Sequence, residues 1–254
     1  MKIIFLGTGT SQGVPVISCG CNVCTSKNLK DKRLRSSIMV EHNGKIIVVD
    51  SGPDFRQQML RENVQRLDAL IFTHSHKDHT AGMDDIRAFN FTMKKPTEVY
   101  ATEFTQQKLR NEFPYIFRES DYPGIPQLNF HAINGDENFS IEGMEIIPIN
   151  VLHFKMPVLG FRFGDFTYIT DANQIPEAEK KKIHGSRYLV LNALQIHTHI
   201  SHFTLSEAIE VAKEFKAEKT FFTHISHNMG LHDEVNKNLP DGIELAYDGL
   251  SVEL

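Results

Sequence analysis

The amino-acid sequence predicts an α/β fold in which two β-sheets pack face to face and helices cover their outer surfaces. Short apolar runs typical of strands alternate with amphipathic segments typical of helices. Hairpin-like strands come first and alternating strands and helices follow, and then both patterns recur, which fits this architecture. A hydrophobic share of 41% over 254 residues is sufficient for such a core. No stretch is long enough for a linker, so we expect one domain over residues 1–254.

The individual elements are predicted from the spacing of apolar residues. The clearest helix is at 205–215, where one apolar stripe is made by Leu205, Ala208, Ile209, Ala212 and Phe215. Two further helices are predicted at Pro53–Glu62 and Phe104–Phe113. Strands are predicted at Lys2–Leu6, Ser37–Glu41, Lys45–Val49, Ala69–Phe72, Glu98–Ala101, Met144–Val151, Gly160–Phe163, Thr167–Ile169, Tyr188–Leu191, Thr220–Phe222 and Ile243–Ala246. Residues 113–127, with three prolines and no regular period, predict an ordered loop.

Charge and hydropathy exclude some classes of partner. The chain has 27 Lys and Arg against 32 Asp and Glu, a formal net charge of −5, so it lacks a general basic field for nucleic acid. No apolar run approaches the roughly 18 residues of a membrane span. The start has no apolar core or cleavage pattern of a signal peptide, and we therefore expect a cytoplasmic protein without membrane partners.

The three cysteines predict a metal site. Cys19, Cys21 and Cys24 form a C-x-C-x₂-C cluster, and an odd number of thiols within six residues is a poor disulfide framework. In a reducing cytosol such a cluster is more typical of metal binding. The thirteen histidines are also unevenly distributed, which points to metal chemistry elsewhere in the chain.

The strongest chemical signal is the H-x-H-x-D-H motif that directly follows the apolar run ending at Phe72. His74 and His76 are two residues apart at a strand end and so point to one side. The chain then turns, and Asp78 and His79 are placed to face a point beside the first pair, with Asp78 expected at a helix N-cap. Buried histidines and a carboxylate are costly unless paired, so four of them here predict a site for two metal ions.

This motif resembles that of the metallo-β-lactamase superfamily, and four other residues match the pattern of that superfamily. Each follows an apolar run: Asp50, His153, Asp171 and His224. The resemblance implies a four-layered αβ/βα sandwich with metals at the edge of the sheets.

The resemblance also implies a role for each residue. His74, His76 and His153 would bind one divalent ion, and Asp78, His79 and His224 would bind the second. Asp171 would bridge the two ions, with an attacking hydroxide between them. Such a pair of ions activates water near neutral pH and clamps a phosphoryl oxygen. Asp50 would orient a ligand histidine. The ligands suit zinc or manganese, and also iron.

The amino end indicates the branch of the superfamily. L-G-T-G-T-S-x-G-V-P at residues 6–15 resembles the phosphodiesterase branch, which includes tRNA 3′-end nucleases. The three cysteines with His227 resemble the accessory structural zinc site of the phosphoribosyl 1,2-cyclic phosphate phosphodiesterases of the carbon–phosphorus lyase pathway. His202 matches the histidine of this branch that donates to the phosphate or the leaving group.

The sequence therefore predicts a di-metal phosphodiesterase acting on a small cyclic or nucleotide-like phosphodiester, with Asp78 and His202 as catalytic residues. It would hold two catalytic zinc or manganese ions and one structural zinc. Alternatives are a tRNA 3′-processing endonuclease, a thioester hydrolase of the glyoxalase II type, and a non-catalytic metal-binding module. A tRNA nuclease normally has a basic arm, whereas residues 113–127 have one Arg against Glu119 and Asp121. The natural substrate, the metal identity and a homodimeric state are left open.

Overall fold

The computed structural model describes residues 1–118, 122 and 124–254, so part of the predicted loop at 113–127 lies outside the described residues. The strands are β1 Lys2–Gly7, β2 Ser37–His42, β3 Lys45–Val49, β4 Ala69–Ile71, β5 Thr97–Ala101, β6 Leu128–Ala132, β7 Phe139–Ile141, β8 Met144–His153, β9 Met156–Phe163, β10 Phe166–Tyr168, β11 Tyr188–Asn192, β12 Lys219–Thr223, β13 Ile243–Leu245 and β14 Ser251–Glu253. The α-helices are α1 Asn22–Thr25, α2 Phe55–Arg61, α3 Lys77–Thr80, α4 Arg87–Met93, α5 Glu103–Glu112, α6 Pro114–Phe117, α7 Glu177–Ile183, α8 Leu205–Phe215 and α9 His232–Asn236.

The described strands form two sheets of seven. The first sheet has the order β14-β1-β2-β3-β4-β5-β6, and the second has the order β13-β12-β11-β10-β9-β8-β7. In each sheet an antiparallel part joins a parallel part, which is β3 to β6 in the first and β10 to β13 in the second. The carboxyl ends of parallel strands lie at the same edge of a sheet, and loops that follow several strands are thereby brought together.

The buried residues show four layers. One apolar cluster lies between the sheets and contains Phe5 and Ile38 from the first with Phe161 and Phe221 from the second. A second cluster packs the stripe of α8 against the second sheet, and a third packs α2 and α4 against the outer face of the first. The predicted sandwich of two sheets between helices is therefore confirmed.

The helix predicted at Leu205–Phe215 has the predicted bounds, because its ends are strongly marked in the sequence. Thr204 accepts a hydrogen bond from the backbone of Glu207, whose side chain reaches back to Thr204, forming a capping box. At the other end Lys216 adopts the left-handed conformation of a C-terminal cap.

Three strands and several short helices were not predicted. β7 and β14 have three residues each, and β6 is a largely exposed edge strand, so none has the apolar run on which the prediction relied. The N-cap predicted at Asp78 is also wrong, since α3 begins at Lys77 with His76 as its N-cap. Within the described part of the chain, no helix has both the length and the apolar character needed to cross a bilayer.

Candidate metal centre

The histidines and aspartates of the predicted centre converge because each follows or ends a strand at the same edge of the sandwich. Asp50 follows β3, residues 74–79 follow β4, His153 ends β8, and His224 follows β12. Asp50, Asp171 and His224 have φ angles of 65°, 53° and 57°. This left-handed conformation is uncommon outside glycine and is often found at functional sites, and here it turns each side chain out of its strand direction.

Four side chains form a tight, buried group. The ligand atoms of Asp78, His79, Asp171 and His224 all lie within 4.8 Å of one another. His79 Nε2 and His224 Nε2 are each 3.1 Å from a carboxylate oxygen of Asp171. Both nitrogens are buried and make no hydrogen bond within the described residues. A cation at the centre of this group would satisfy both nitrogens and balance the two carboxylates, so the donor set fits a divalent metal.

Three further imidazoles surround the neighbouring space. The ring centroid of His76 is 4.6 Å from that of His74 and 5.2 Å from that of His153. The centroids of His74 and His153 are 6.0 Å apart. His153 Nδ1 donates to the carbonyl oxygen of Ser201 at 2.8 Å, which leaves its Nε2 as the available ligand atom. His74 Nε2 is another buried nitrogen without a hydrogen bond in the described chain. The structure thus brings together all seven predicted ligands of the two catalytic ions.

Asp50 lies beneath this group and contacts it through hydrogen bonds. The fully buried carboxylate accepts from the backbone N–H of Thr73 at 2.9 Å, from the Thr73 hydroxyl at 2.9 Å and from His79 Nδ1 at 2.7 Å. Accepting from Nδ1 presents His79 Nε2 to the site and raises the basicity of the ring. The position of Asp50 is that of a residue that orients a ligand.

Two glycines allow the loop after β3 to approach α3 closely. A Cβ atom on Gly52 would lie 2.0 Å from the carbonyl oxygen of Asp78, and one on Gly82 would lie 2.2 Å from that of Gly52. The backbones are joined by Ser51 N donating to His79 O and Gly82 N donating to Ser51 O, both at 2.8 Å. Any larger residue at these positions would push α3, which contains Asp78 and His79, away from Asp50.

His202 lies beside Asp171 and contacts a different carboxylate oxygen from the one that His79 contacts. Its Nε2 is 3.1 Å from Asp171 Oδ1, and its Nδ1 is 3.1 Å from Ser201 Oγ and 3.2 Å from His199 Nδ1. Burial, together with the neighbouring His224 and His153, lowers the pKa of His202 to about 4. His202 is therefore neutral at pH 7 in this arrangement. The contact with His199 had no signal in the sequence, since the two are joined by a loop without regular structure.

The charges around His79 favour a cation at this point. Burial by itself lowers the pKa of an imidazole, but the carboxylates of Asp171, Asp78 and Asp50 raise the pKa of His79 well above its usual value. Three buried carboxylates beside one imidazole need positive charge, which a divalent ion held by these side chains would supply.

A second, separate group of metal-ligating side chains joins distant parts of the chain. The Sγ atoms of Cys19, Cys21 and Cys24 lie 3.3 Å, 3.5 Å and 3.6 Å from Nδ1 of His227. The backbone N–H of Cys24 and the His227 ring lower the pKa of Cys21 to about 6, whereas burial raises the pKa of Cys24 to about 11. Four such donors fit a closed tetrahedral zinc site, whose formation would release thiol protons.

Comparison with known proteins identifies the family. The model of the β-lactamase superfamily domain matches residues 45–225, which is more than half of the chain and includes all seven predicted ligands of the two ions. The chain belongs to the metallo-β-lactamase superfamily. The predicted family and fold are therefore confirmed, and the metallo-β-lactamase fold implies divalent metal ions.

Three proteins are similar to this chain over at least 98% of its length. The crystal structure of a new diphosphatase from the PhnP family superposes with a TM-score of 0.93 at 40% identity, over 100% of this chain and 97% of that one. Human tRNase Z, short form, superposes with a TM-score of 0.72 at 17% identity, over 100% and 99% of the chains, and shows the shared fold alone. An octanoyltransferase of Porphyromonas gingivalis is 36% identical over 252 residues, but this chain spans only 51% of its length. The superfamily and the PhnP-family neighbour together support a metal-dependent hydrolase.

Proposed function

We propose that the chain is a di-metal phosphodiesterase that hydrolyses a small cyclic or nucleotide-like phosphodiester, of the phosphoribosyl 1,2-cyclic phosphate type. The observation that carries the proposal is the convergence of seven side chains able to bind metal, one of which is Asp171, with His202 beside the Asp171 carboxylate. The similarity to the PhnP-family diphosphatase supports phosphorus chemistry within this superfamily.

Residues of the chain would hold the ions in two adjacent positions. His74, His76 and His153 would bind one, Asp78, His79 and His224 the other, and Asp171 would bind both, while the cysteine group would bind a structural zinc. Two divalent ions bound in this way supply an activated water and polarise the phosphoryl group. Zinc and manganese both suit these nitrogen and oxygen donors.

The reaction adds one water to the diester. A bond forms between the water oxygen and phosphorus, the ester P–O bond breaks, and a phosphomonoester and a free hydroxyl group result. Asp50 holds His79 in place through the 2.7 Å hydrogen bond, so that the ligand geometry is fixed before substrate binds. His202 is placed to donate its Nε2 hydrogen to a phosphoryl or leaving oxygen that displaces Asp171 as its partner.

The site residues of this chain fit three other enzyme classes of the superfamily less well. A β-lactamase of this superfamily commonly has a cysteine ligand at the second metal, but the three cysteines of this chain lie together with His227. A thioester hydrolase does not account for His202 or for the diphosphatase neighbour. A tRNA nuclease would need a basic arm, and the part of residues 113–127 that the structure describes contains one cation, Arg118.

The proposal is tested by measuring hydrolysis of ribose 1,2-cyclic phosphate, adenosine 2′,3′-cyclic phosphate, a tRNA precursor and S-lactoylglutathione side by side. We expect turnover of the two cyclic diesters with zinc or manganese and background rates on the other two. Asp78→Ala should reduce turnover to background with an unchanged circular dichroism spectrum, because Asp78 lies in the one-turn helix α3 at the edge of the sandwich and not in the apolar core. The matched control is Asp241→Ala, an exposed carboxylate that should retain wild-type turnover. Preference for tRNA or the thioester would overturn the proposal, and inactivity on all four with both metals bound would favour a non-catalytic module.

A further inference from the structure

The side-chain amide of Asn173 joins the two loops that carry His153 and His202, and it has no part in the steps above. Its Oδ1 accepts from the backbone N–H of Phe154 at 2.7 Å, and its Nδ2 donates to the carbonyl oxygen of Ile200 at 3.1 Å. Phe154 directly follows His153 at the turn between β8 and β9, and Ile200 precedes His202 by two residues. One side chain therefore connects the loop of a predicted metal ligand with the loop of a predicted catalytic residue.

The backbone from which this amide projects is fixed from two sides. The backbone N–H of Asn173 donates to the carbonyl oxygen of Leu152, in β8, at 2.9 Å. Ala172, between Asn173 and Asp171, donates its N–H to Asn192 Oδ1 at 2.8 Å and accepts from Asn192 Nδ2 at 2.9 Å. Asn192 ends β11. The amide therefore projects from a segment that two strands of the second sheet hold in place.

The loop that receives the donated hydrogen bond, residues 196–203, depends on such bonds for its position. It has no regular secondary structure, and the side chains of Ile196 and Ile200 are 53% and 67% exposed, so neither packs into the core. The carbonyl oxygen of Ser201 accepts from His153 Nδ1 at 2.8 Å, directly beside the bond that the amide makes to Ile200. Two neighbouring hydrogen bonds thus attach this loop to the end of β8 and the segment that follows β10.

The chemistry of asparagine suits this connection, because a neutral amide accepts through one atom and donates through the other. An aspartate would still accept from Phe154 N, but its second oxygen would face the Ile200 carbonyl oxygen without a hydrogen between them. Phe154 has a φ of 58°, a left-handed conformation that is uncommon outside glycine. The hydrogen bond to its N–H therefore also stabilises the turn beside His153.

We propose that Asn173 is a positioning residue that acts through His202. By attaching the 196–203 loop to the β8–β9 turn, it holds the His202 ring in place beside Asp171, where the Nε2–Oδ1 distance is 3.1 Å. The inference rests on the phosphodiesterase function proposed above, in which His202 donates a hydrogen bond to the substrate. The seven predicted metal ligands have their own positions at strand ends, so we expect metal binding to be independent of the Asn173 amide.

Asn173→Asp tests the proposal, because it removes the donor and keeps the acceptor in a side chain of the same shape. We expect kcat on adenosine 2′,3′-cyclic phosphate to fall by about tenfold, since a small displacement of a catalytic group is costly, with little change in KM. Asn173→Ala, which loses both hydrogen bonds, should show at least the same loss. Metal analysis should give the wild-type content for both variants.

Hydrogen–deuterium exchange provides a measurement that does not depend on turnover. The backbone amides of residues 196–203 should exchange faster in Asn173→Asp than in wild type, because the loop has lost one of its attachments. The matched control is Asn238→Asp, which removes a bond of the same kind, from a side-chain amide to the carbonyl oxygen of Glu234 at 2.8 Å, at an exposed position beyond α9. This control should change neither kcat nor the exchange of the loop.

The double variant shows whether Asn173 acts through His202. In a His202→Ala background, Asn173→Asp should reduce kcat no further, because the ring that it positions is absent. Losses that multiply in the double variant would overturn the inference, as would wild-type kcat or wild-type exchange in Asn173→Asp. Loss of a catalytic ion from Asn173→Asp would also overturn it, since the amide would then support the metal ligands. A wild-type protein that hydrolyses no diester would instead contradict the proposed function, and the exchange experiment would still test the attachment of the loop.

Discussion

At the residue scale, the environment of His202 determines whether the ring can transfer a proton or can only donate a hydrogen bond. The ring is mostly buried between Asp171, His153 and His224, and burial lowers its pKa to about 4. Bound divalent ions would lower that pKa further, because they add positive charge nearby. A neutral imidazole offers an N–H hydrogen bond but does not readily surrender a proton. In the proposed reaction a neutral His202 would therefore stabilise charge on phosphoryl oxygens and would not protonate the leaving group.

The prediction is that His202→Ala reduces kcat by about 10²–10³ on substrates with either type of leaving group. Adenosine 2′,3′-cyclic phosphate has a strongly basic alkoxide leaving group, whereas methyl 4-nitrophenyl phosphate releases a weakly basic nitrophenolate. Loss of a hydrogen bond to phosphoryl oxygens affects both esters alike. Steady-state kinetics on the two substrates provide the measurement.

The control is His197→Ala, which removes an exposed imidazole from the same loop and should change neither rate. A much greater loss on the alkoxide ester would make His202 a proton donor after all. Metal analysis of His202→Ala provides a further check, since His202 also lies within 4.8 Å of His153 and Asp171. Loss of a catalytic ion from this variant would identify His202 as a ligand.

At the element scale, the loop that carries the cysteines is joined to the segment after β12 by side-chain contacts on either side of α1. His227 follows β12 and contacts all three thiols, while Asp31, just beyond α1, accepts from Ser26 Oγ at 2.6 Å and from His232 N at 2.8 Å. Both contacts join the first part of the chain to the segment after β12. Since His224 precedes His227 by three residues, a zinc bound here would also restrain one wall of the catalytic centre.

Cys21→Ser is therefore expected to release about one zinc per chain and to lower the melting temperature by several degrees, because a structural metal contributes directly to folding free energy. Turnover should fall less than in Asp78→Ala, since the catalytic ligands are retained. The control is Ile17→Ser in the same loop, where the side chain is 91% exposed and contacts no ligand. A wild-type protein that contains no metal beyond the two catalytic ions would exclude the accessory site.

A buried charged network beneath this loop gives a pH dependence of stability. Arg33 is fully buried and donates to Thr8 Oγ1 at 2.7 Å and to Ala246 O at 2.6 Å. Asp248 accepts from Thr8 Oγ1 and Leu34 N, both at 2.8 Å. Burial nevertheless raises the pKa of Asp248 to about 6 from an ordinary 3.8. The folded chain therefore binds more protons than the unfolded chain between these two pH values.

The sign of this effect follows from linkage. Ionised Asp248 is disfavoured in the fold, so its contribution to the free energy of unfolding is greatest below pH 4, decreases as pH rises to about 6, and is constant above. A shift of about two units corresponds to about 3 kcal/mol. The difference in unfolding free energy between wild type and Asp248→Asn should decrease by this amount between pH 4 and pH 7, in urea titrations at each pH. Asp241→Asn, an exposed site, should show no such trend, and a parallel pH dependence of wild type and Asp248→Asn would refute the assignment.

At the scale of the whole molecule, the parts of the fold that the sequence predicted are those with local signals. The H-x-H-x-D-H motif and the apolar runs of β3, β4, β10 and β12 placed the ligands at strand ends, and the structure brings them together. The left-handed backbone at Asp50, Asp171 and His224 had no local signal, because tertiary contacts impose it. The cavity lined by residues 132–135, at the end of β6, also had no signal in the sequence, because β6 lacks a regular apolar pattern.

Chain connectivity predicts that the sandwich unfolds as one unit. β14, from the end of the chain, pairs with β1 in the first sheet, and Met1 N donates to Leu254 O at 3.0 Å. The core between the sheets contains Val252 of β14 together with Phe161 and Phe221 of the second sheet. Neither sheet can separate without exposing the shared core.

Val252→Ala is the test of this coupling. The residue is 7% exposed, so the truncation should lower the free energy of unfolding by on the order of 1–3 kcal/mol. Because the core is shared, far-UV circular dichroism, release of zinc from the cysteine site and loss of phosphodiesterase turnover should all shift together to one lower temperature. Glu253→Ala, the outward-facing neighbour on the same strand, should leave all three transitions in place. Transitions that separate in Val252→Ala, with zinc release or loss of turnover at a different temperature from the change in circular dichroism, would show that the two sheets unfold independently and that the chain is not a single cooperative domain.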